Sequence, residues 1–112
     1  MNEEFRAKLT QVFLDAVAET QQRSGRPAQV MTEDTIPFTD LANFDSHSGV
    51  EVEVLLSTRL GFEIEDIPFC VGRHGSQEFR ELRVREIVNA LMKKYGPAIS
   101  KELKDNHELV TN

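Results

Sequence analysis

The chain has few of the residues on which several classes of protein depend. Its 112 residues include no tryptophan, a single tyrosine and a single cysteine, Cys70. A lone cysteine excludes an internal disulfide, which small secreted domains commonly need. The first residues, Met1–Glu4, lack the basic start and apolar run of a signal peptide, so we expect a cytoplasmic protein. No apolar run approaches membrane-spanning length, and we expect no membrane insertion.

Positive charge is scarce where negative charge is dense. The net charge is −6, and residues 32–66 carry nine acids against the single base Arg59, a net charge of −8. Nucleic-acid binding needs clustered lysine and arginine, so we expect no nucleic-acid partner. The acidic block favours protein partners with basic patches, although a solvated surface would have the same composition.

Two segments have the spacing of amphipathic helices. Residues 3–22 place apolar side chains three and four residues apart, and residues 24–27 then end the pattern with glycine and proline. Residues 79–95 show a second apolar face, which Gly96-Pro97 should end. We expect one domain over residues 1–96 and a polar tail, mobile or a frayed helix, over residues 97–112.

The segments between these helices are less regular. Residues 24–45 form a long loop whose apolar side chains we expect to lie across the core: Val30, Met31, Ile36, Phe38, Leu41 and Phe44. A short turn is expected near residues 39–43. Residues 61–75 hold three glycines and a proline, with a short helix expected near residues 64–70.

Residues 46–60 fit two structures. Valine alternates with glutamate over residues 50–54, which is typical of a strand. Val52, Leu56 and Leu60 also recur at steps of four, and Val50, Val54 and Leu55 would widen that apolar stripe. With Asp45 or Ser46 at the start and Gly61 at the end, the pattern favours a helix slightly.

Ser46 is the residue to which we assign function. It follows Asp45 at the start of the expected helix, where unpaired N–H groups and the helix dipole favour a phosphate. We interpret its hydroxyl as the attachment point of a phosphate-linked arm. The alternative is an ordinary capping serine, and Ser48 is the nearest rival hydroxyl.

With these segments in order, the chain resembles the acyl carrier protein family over residues 5–94. Asp45-Ser46-His47 stands where the family has Asp-Ser-Leu at the head of its second helix. Further stretches that agree in register are Val50-Glu51, Leu56, Leu60, Gly61–Asp66 and Leu82–Val88. Asp-Ser alone is a weak signal, and the agreement of its neighbours gives the resemblance its weight.

The resemblance implies an all-α, acyl-carrier-like four-helix bundle with three main helices, a short third helix and a long first loop. Ser46 would carry 4′-phosphopantetheine, transferred from coenzyme A by a phosphopantetheinyl transferase, and the arm would hold acyl groups as thioesters for fatty-acid, lipid or related biosynthesis. The implied protein is a monomer, not an enzyme, and it docks acyl-processing enzymes with basic patches. The residues expected to contact these partners are Asp45, His47, Val50, Glu51, Glu53 and Val54.

Departures from the family pattern keep other functions open. His47 replaces the family's leucine, Ser57 and Thr58 stand where many relatives have acids, and Arg83 replaces a frequent threonine cap. The last helix should therefore start earlier, near Gln77. An unmodified interaction module and a polyketide or peptidyl carrier remain alternatives.

Catalytic and metal sites find little support. Cys70 and His74 lie in a glycine-interrupted segment without a third group to orient them. The three histidines, His47, His74 and His107, do not have metal-ligand spacing. A nucleophile elbow around Ser46 would need glycine at positions 44 and 48, which hold phenylalanine and serine.

Overall fold

Three long helices dominate the fold. The computed structural model describes residues 2–73 and 75–110, with side chains for residues 3–73 and 75–98. Over these residues the elements are α1 (Asn2–Arg23), α2 (Pro37–Asp40), α3 (Ser46–Leu60), β1 (Cys70–Val71), β2 (Arg80–Glu81) and α4 (Val84–Val110). The strands pair antiparallel, with Cys70 opposite Glu81. The molecule is mostly helical, compatible with the small all-α fold expected from the sequence. No helix in the described part of the chain is long and apolar enough to cross a membrane.

The core lies where α1, α3 and α4 meet. It contains Leu9, Phe13, Val17, Val52, Leu56, Leu60, Ile87, Val88 and Leu91, which are all almost completely buried. Burying one such side chain contributes about 1.5–3 kcal/mol to folding. The helices predicted over residues 3–22 and 46–60 are confirmed. Asp45 caps the start of α3, and Gly61 ends it with φ of 82°.

The long loop crosses the core mostly as predicted, although Ile36 is half-buried and does not belong to the core cluster. Leu41 and Phe44 are buried, and Met31 and Phe38 pack against the core. Val30 is 92% exposed, so the prediction for this residue is wrong. The loop also contains the short helix α2.

The predicted bounds of the last helix are wrong at both ends. Its start is delayed to Val84 because Arg80–Glu81 pair with the preceding strand. The N–H groups of Val84 and Arg85 then donate to the carbonyls of Thr35 and Glu33, both at 2.8 Å. Its helical backbone continues through Pro97 to Val110. Proline removes one helical hydrogen bond, but residues 98–104 include alanine, lysine, glutamate and leucine, which are strong helix formers.

The prediction of a short helix near residues 64–70 is also wrong, because the structure has no helix there. The N–H of Ile64 donates to the Ser57 hydroxyl at 2.8 Å, and that of Ile67 donates to Glu53 Oε2 at 3.1 Å. The Glu65 N–H bonds the Tyr95 hydroxyl at 3.1 Å. Side chains of α3 and α4 thus hold this segment in place, and it leads into β1 without a helix.

Candidate functional site

A reciprocal pair of hydrogen bonds between Asp45 and Ser48 begins α3. Asp45 Oδ1 accepts from the Ser48 N–H at 3.1 Å, and the Ser48 hydroxyl accepts from the Asp45 N–H at 3.3 Å. This capping box satisfies backbone donors at the helix start. The Ser48 N–H is the main cause that lowers the pKa of Asp45, and the positive charge of Arg26 contributes. Asp45 is therefore ionised at neutral pH, directly before Ser46.

The two serines of this first turn have different surroundings. Ser48 is 3% exposed, and its hydroxyl accepts a hydrogen bond from Arg26 Nη1 at 2.9 Å. Ser46 is exposed, and within the part of the chain whose side chains are described its hydroxyl has no hydrogen-bond partner. An enzyme could reach the hydroxyl of Ser46 without disturbing the cap, whereas reaching Ser48 would break it.

The residues expected to contact partners mostly lie on the outer surface of α3. Asp45, His47 and Glu51 are exposed, and Val50 and Val54 are 57% and 59% exposed. The two valines therefore do not widen the buried stripe, so the prediction is wrong for them, whereas Leu55 packs against the core as expected. Ser46, Val50 and Val54 are spaced by four residues, so they follow one side of the helix. We call Ser46, Val50, Glu51 and Val54 the outer face of α3.

Glu53 does not belong to the outer face. It is half-buried, and its Oε2 accepts from the backbone N–H of Ile67. The carboxylate holds residues 61–69 against α3, so the structure gives Glu53 a role within the fold. The expectation that it lies open to a partner is not supported by this placement.

The acidic block is spread over several parts of the surface. Glu33 pairs with Arg6 at 2.6 Å, and Asp34 pairs with Arg85 at 2.6 Å. Glu65 lies beside α4, where the negative charge of Glu63 is the main cause that raises its pKa. The exposed acids closest to Ser46 in the sequence of α3 and its cap are Asp45 and Glu51, and Glu53 lines the same groove as Ser46.

A groove opens beside Ser46, between α3 and the segment that leads into β1. Its volume is about 290 Å³. The residues that line it are Phe38, Ser46, Gly49, Val50, Glu53, Ile67, Pro68, Phe69 and Cys70. Most of these residues are apolar. We call it the Ser46 groove.

The other candidates for chemistry do not assemble into a site. The pKa of Cys70 is raised, mainly by burial of the thiol and secondly by the negative charge of Glu81. The thiol therefore stays protonated at neutral pH. His74 and the side chain of His107 lie outside the described residues. Among the described residues, no group of three or more histidine, cysteine, aspartate or glutamate side chains could hold a metal ion.

Two parts of the site escaped sequence analysis. The groove wall comes from Ile67-Pro68-Phe69, an apolar triplet that could have signalled a packed segment after the acidic stretch. Arg26 gives no such signal, because its contact with Ser48 joins residues 22 positions apart.

Comparison with known proteins leaves the site to be interpreted from its own geometry. No protein-family model matches the chain, and no curated protein or solved structure matches it either.

Proposed function

We propose that this protein is a carrier that holds acyl groups on a 4′-phosphopantetheine arm attached to Ser46. The observation that carries the proposal is the contrast at the start of α3. Ser46 offers an exposed hydroxyl with no partner among the described residues, while Ser48 is buried in the cap. The helix N-terminus favours a phosphate on that hydroxyl. The residues present therefore fit the group, which would supply a terminal thiol for thioester formation.

The proposed arrangement is acyl-carrier-like in its main helices. α1, α3 and α4 would correspond to the family's three long helices, and the outer face of α3 to its docking surface. Residues 61–69 and the β1–β2 pair would take the place of the family's short helix. The carrier would bind a transferase and acyl-processing enzymes through basic patches, in the cytoplasm and as a monomer. Tethering would raise the effective concentration of its cargo at each enzyme.

Intact-protein mass tests attachment directly. The protein would be incubated with coenzyme A and a broad-specificity phosphopantetheinyl transferase, beside Ser46→Ala and Ser24→Ala. Ser24 is a matched control because it is also an exposed serine next to a helix end. We expect one phosphopantetheine on the wild type and on Ser24→Ala, and none on Ser46→Ala. Loading that persists in Ser46→Ala would place the site elsewhere.

An unmodified interaction module is the second candidate. The exposed pair Val50 and Val54 favours it, because apolar side chains beside Glu51 suit a basic amphipathic helix whether or not an arm is present. A basic amphipathic helical peptide would be titrated into the unmodified protein and followed by NMR. Shifts confined to the outer face and lost in Val54→Ser, together with no gain in mass, would favour this candidate over the carrier.

A further inference from the structure

A second cavity lies between the end of α1 and the first part of the long loop. Its volume is about 370 Å³, within the range of about 300–1,000 Å³ that small-molecule sites have. Among the described residues it shares no lining residue with the Ser46 groove. The lining residues used in the argument below are Ala18, Gln21, Arg26, Ala28, Met31 and Leu41. We call this cavity the Arg26 pocket.

Hydrogen bonds fix the walls of the Arg26 pocket. Directly after α1, the Arg26 N–H donates to the Gln21 carbonyl at 3.0 Å, as in a helix-ending Schellman turn. In the loop, the side chain of Gln29 donates to the Asp40 carbonyl at 2.9 Å and accepts from the Ala42 N–H at 2.7 Å. Gln29 is another lining residue, so both the α1 side and the loop side are held in place without a ligand.

Arg26 has no carboxylate partner among the described residues, although it is half-buried. The other half-buried cations whose side chains the structure describes are Arg6 and Lys8, and each pairs with a glutamate, at 2.6 Å and 3.9 Å. Asp45 is close enough for the charge of Arg26 to lower its pKa, but the two side chains form no ion pair. A partly buried positive charge without a counter-charge favours an anion that can reach it.

The hydrogen bonds of Arg26 leave one edge of its guanidinium open. Nη1 donates to the side-chain oxygen of Gln21 at 2.8 Å and to the Ser48 hydroxyl at 2.9 Å. Among the described residues, Nε and Nη2 have no hydrogen-bond partner. These two nitrogens form an edge that can bind a carboxylate through two parallel N–H···O bonds. Because Gln21 and Ser48 hold the Nη1 end, little further ordering of the side chain is needed on binding.

The remaining lining suits a compact apolar group with a single negative charge. Leu41 is buried, Met31 is half-buried, and Ala18 and Ala28 add aliphatic surface at the opening. One guanidinium balances one negative charge, and Asp45 lies near it. A dianion such as hydrogen phosphate would therefore be repelled, and its second charge would lose hydration without a partner.

We propose that the Arg26 pocket binds a free, small aliphatic monocarboxylic acid. The carboxylate would pair with Nε and Nη2 of Arg26, and the hydrocarbon would lie against Met31 and Leu41. This site goes beyond the proposed function and does not depend on an arm at Ser46. The bound acid would contact the guanidinium that also holds Ser48, so the pocket adjoins the turn that presents Ser46.

NMR titration of the unmodified protein tests the pocket. Sodium hexanoate would be added at constant pH and ionic strength, beside hexanamide, which keeps the hydrocarbon without the charge, and beside inorganic phosphate. We expect saturable shifts of the backbone N–H signals of Gln22, Ala28 and Met31 with hexanoate. Hexanamide should bind about tenfold or more weakly because it lacks the charge-assisted hydrogen bonds, and phosphate should not bind there. No saturable shift with hexanoate, or equal affinity for hexanamide or phosphate, would overturn the proposal.

Two substitutions test the charge and the space separately. Arg26→Gln removes the guanidinium, and Ala18→Phe fills the pocket from an exposed position of α1 while leaving Arg26 in place. Each should weaken hexanoate binding by about tenfold or more. The matched controls are Arg23→Gln and Ala7→Phe, which change exposed residues of α1 that do not line the pocket. Both controls should bind hexanoate as the wild type does.

Ala18→Phe keeps the test decisive if Arg26→Gln also loosens the start of α3. Unchanged binding in Ala18→Phe would show that the acid does not enter the pocket. A loss in Arg23→Gln as large as that in Arg26→Gln would show a response to overall charge, and either result rejects the proposal. If hexanoate binds as expected but no transferase loads Ser46, the proposed function fails while the Arg26 pocket stands.

Discussion

Arg26, in the loop after α1, donates a hydrogen bond to the hydroxyl of Ser48 in the first turn of α3, at 2.9 Å. The same Nη1 atom lies 2.8 Å from the side-chain oxygen of Gln21, whose amide nitrogen donates to the carbonyl of Ala42 at 2.7 Å. The start of α3, the end of α1 and both ends of the long loop are thereby joined. This network holds the turn that presents Ser46.

Removing the Ser48 hydroxyl should therefore destabilise the fold, and removing that of Ser46 should not. Ser48→Ala removes the acceptor of a half-buried guanidinium N–H of Arg26 and of the Asp45 N–H, which should cost about 0.5–1.5 kcal/mol for each lost hydrogen bond. Ser46→Ala should change the free energy of unfolding by about 0.5 kcal/mol or less, since the residue is exposed. Urea titration of both variants measures the difference. Equal losses would mean that Ser48 does not support the cap.

Asp45 should make stability fall at acid pH. Its pKa is lowered in the folded protein, so its contribution is fully present above the unfolded value of about 3.9 and is lost as pH falls toward the lower folded value. Asp45→Asn keeps a capping side chain without the charge. We expect this variant to be less stable than the wild type at neutral pH, with a difference that closes as the pH falls through this window. Unfolding measured across that range checks it.

Glu65 should have the opposite effect of pH on stability to that of Asp45, because its pKa is raised in the folded protein. The charge of Glu63 raises its pKa, so the ionised form opposes folding and the penalty is relieved as the pH falls through the raised value. Glu65→Gln should therefore be more stable than the wild type at neutral pH and equal to it below about 4.3, the unfolded value. A Glu65→Gln variant that is less stable at neutral pH would contradict this account.

Mutations at buried positions of the long loop should lower the free energy of unfolding as much as mutations in the helical core. Leu41→Ala removes a side chain that is 5% exposed and should cost about 2–5 kcal/mol. Val30→Ala, in the same loop, is the matched control and should cost about 0.5 kcal/mol or less because Val30 is fully in solvent. Thermal or urea unfolding separates the two variants. Similar small losses from both would show that the loop is not packed on the core.

Gly49 and Phe69 should be energetically coupled. Alanine is favoured over glycine in a helix by about 0.8–1.0 kcal/mol, but at position 49 its β-carbon would push the ring of Phe69. Gly49→Ala should therefore stabilise the protein in a Phe69→Leu background and not in the wild type. A double-mutant cycle on the free energy of unfolding should show a coupling of about 1 kcal/mol. No coupling would mean that the ring moves aside freely.

Local residue patterns were enough to predict α1 and the course of most of the long loop. For residues 46–60 they marked the start and end of the segment but favoured a helix over a strand only slightly, and the family resemblance decided for the helix. These patterns are informative because apolar spacing, Asp45 at the helix start and Gly61 at its end act on the chain within a few residues. The identity of Ser46 as the candidate residue also came from the sequence, because it depends on its immediate neighbours.

Contacts between distant segments decided the rest. The Ile64 and Ile67 N–H groups bond side chains of α3, which fix a non-helical segment against α3, and Ile67 of this segment lines the Ser46 groove. Pairing of Cys70–Val71 with Arg80–Glu81 delays the start of α4. The apolar periodicity of α3 did not decide whether Val50 and Val54 are buried. In the folded protein α1 and residues 61–69 pack on other sides of α3, and both valines remain exposed to solvent. These outcomes depend on which segments of the chain pack against each other, and local sequence does not determine that packing.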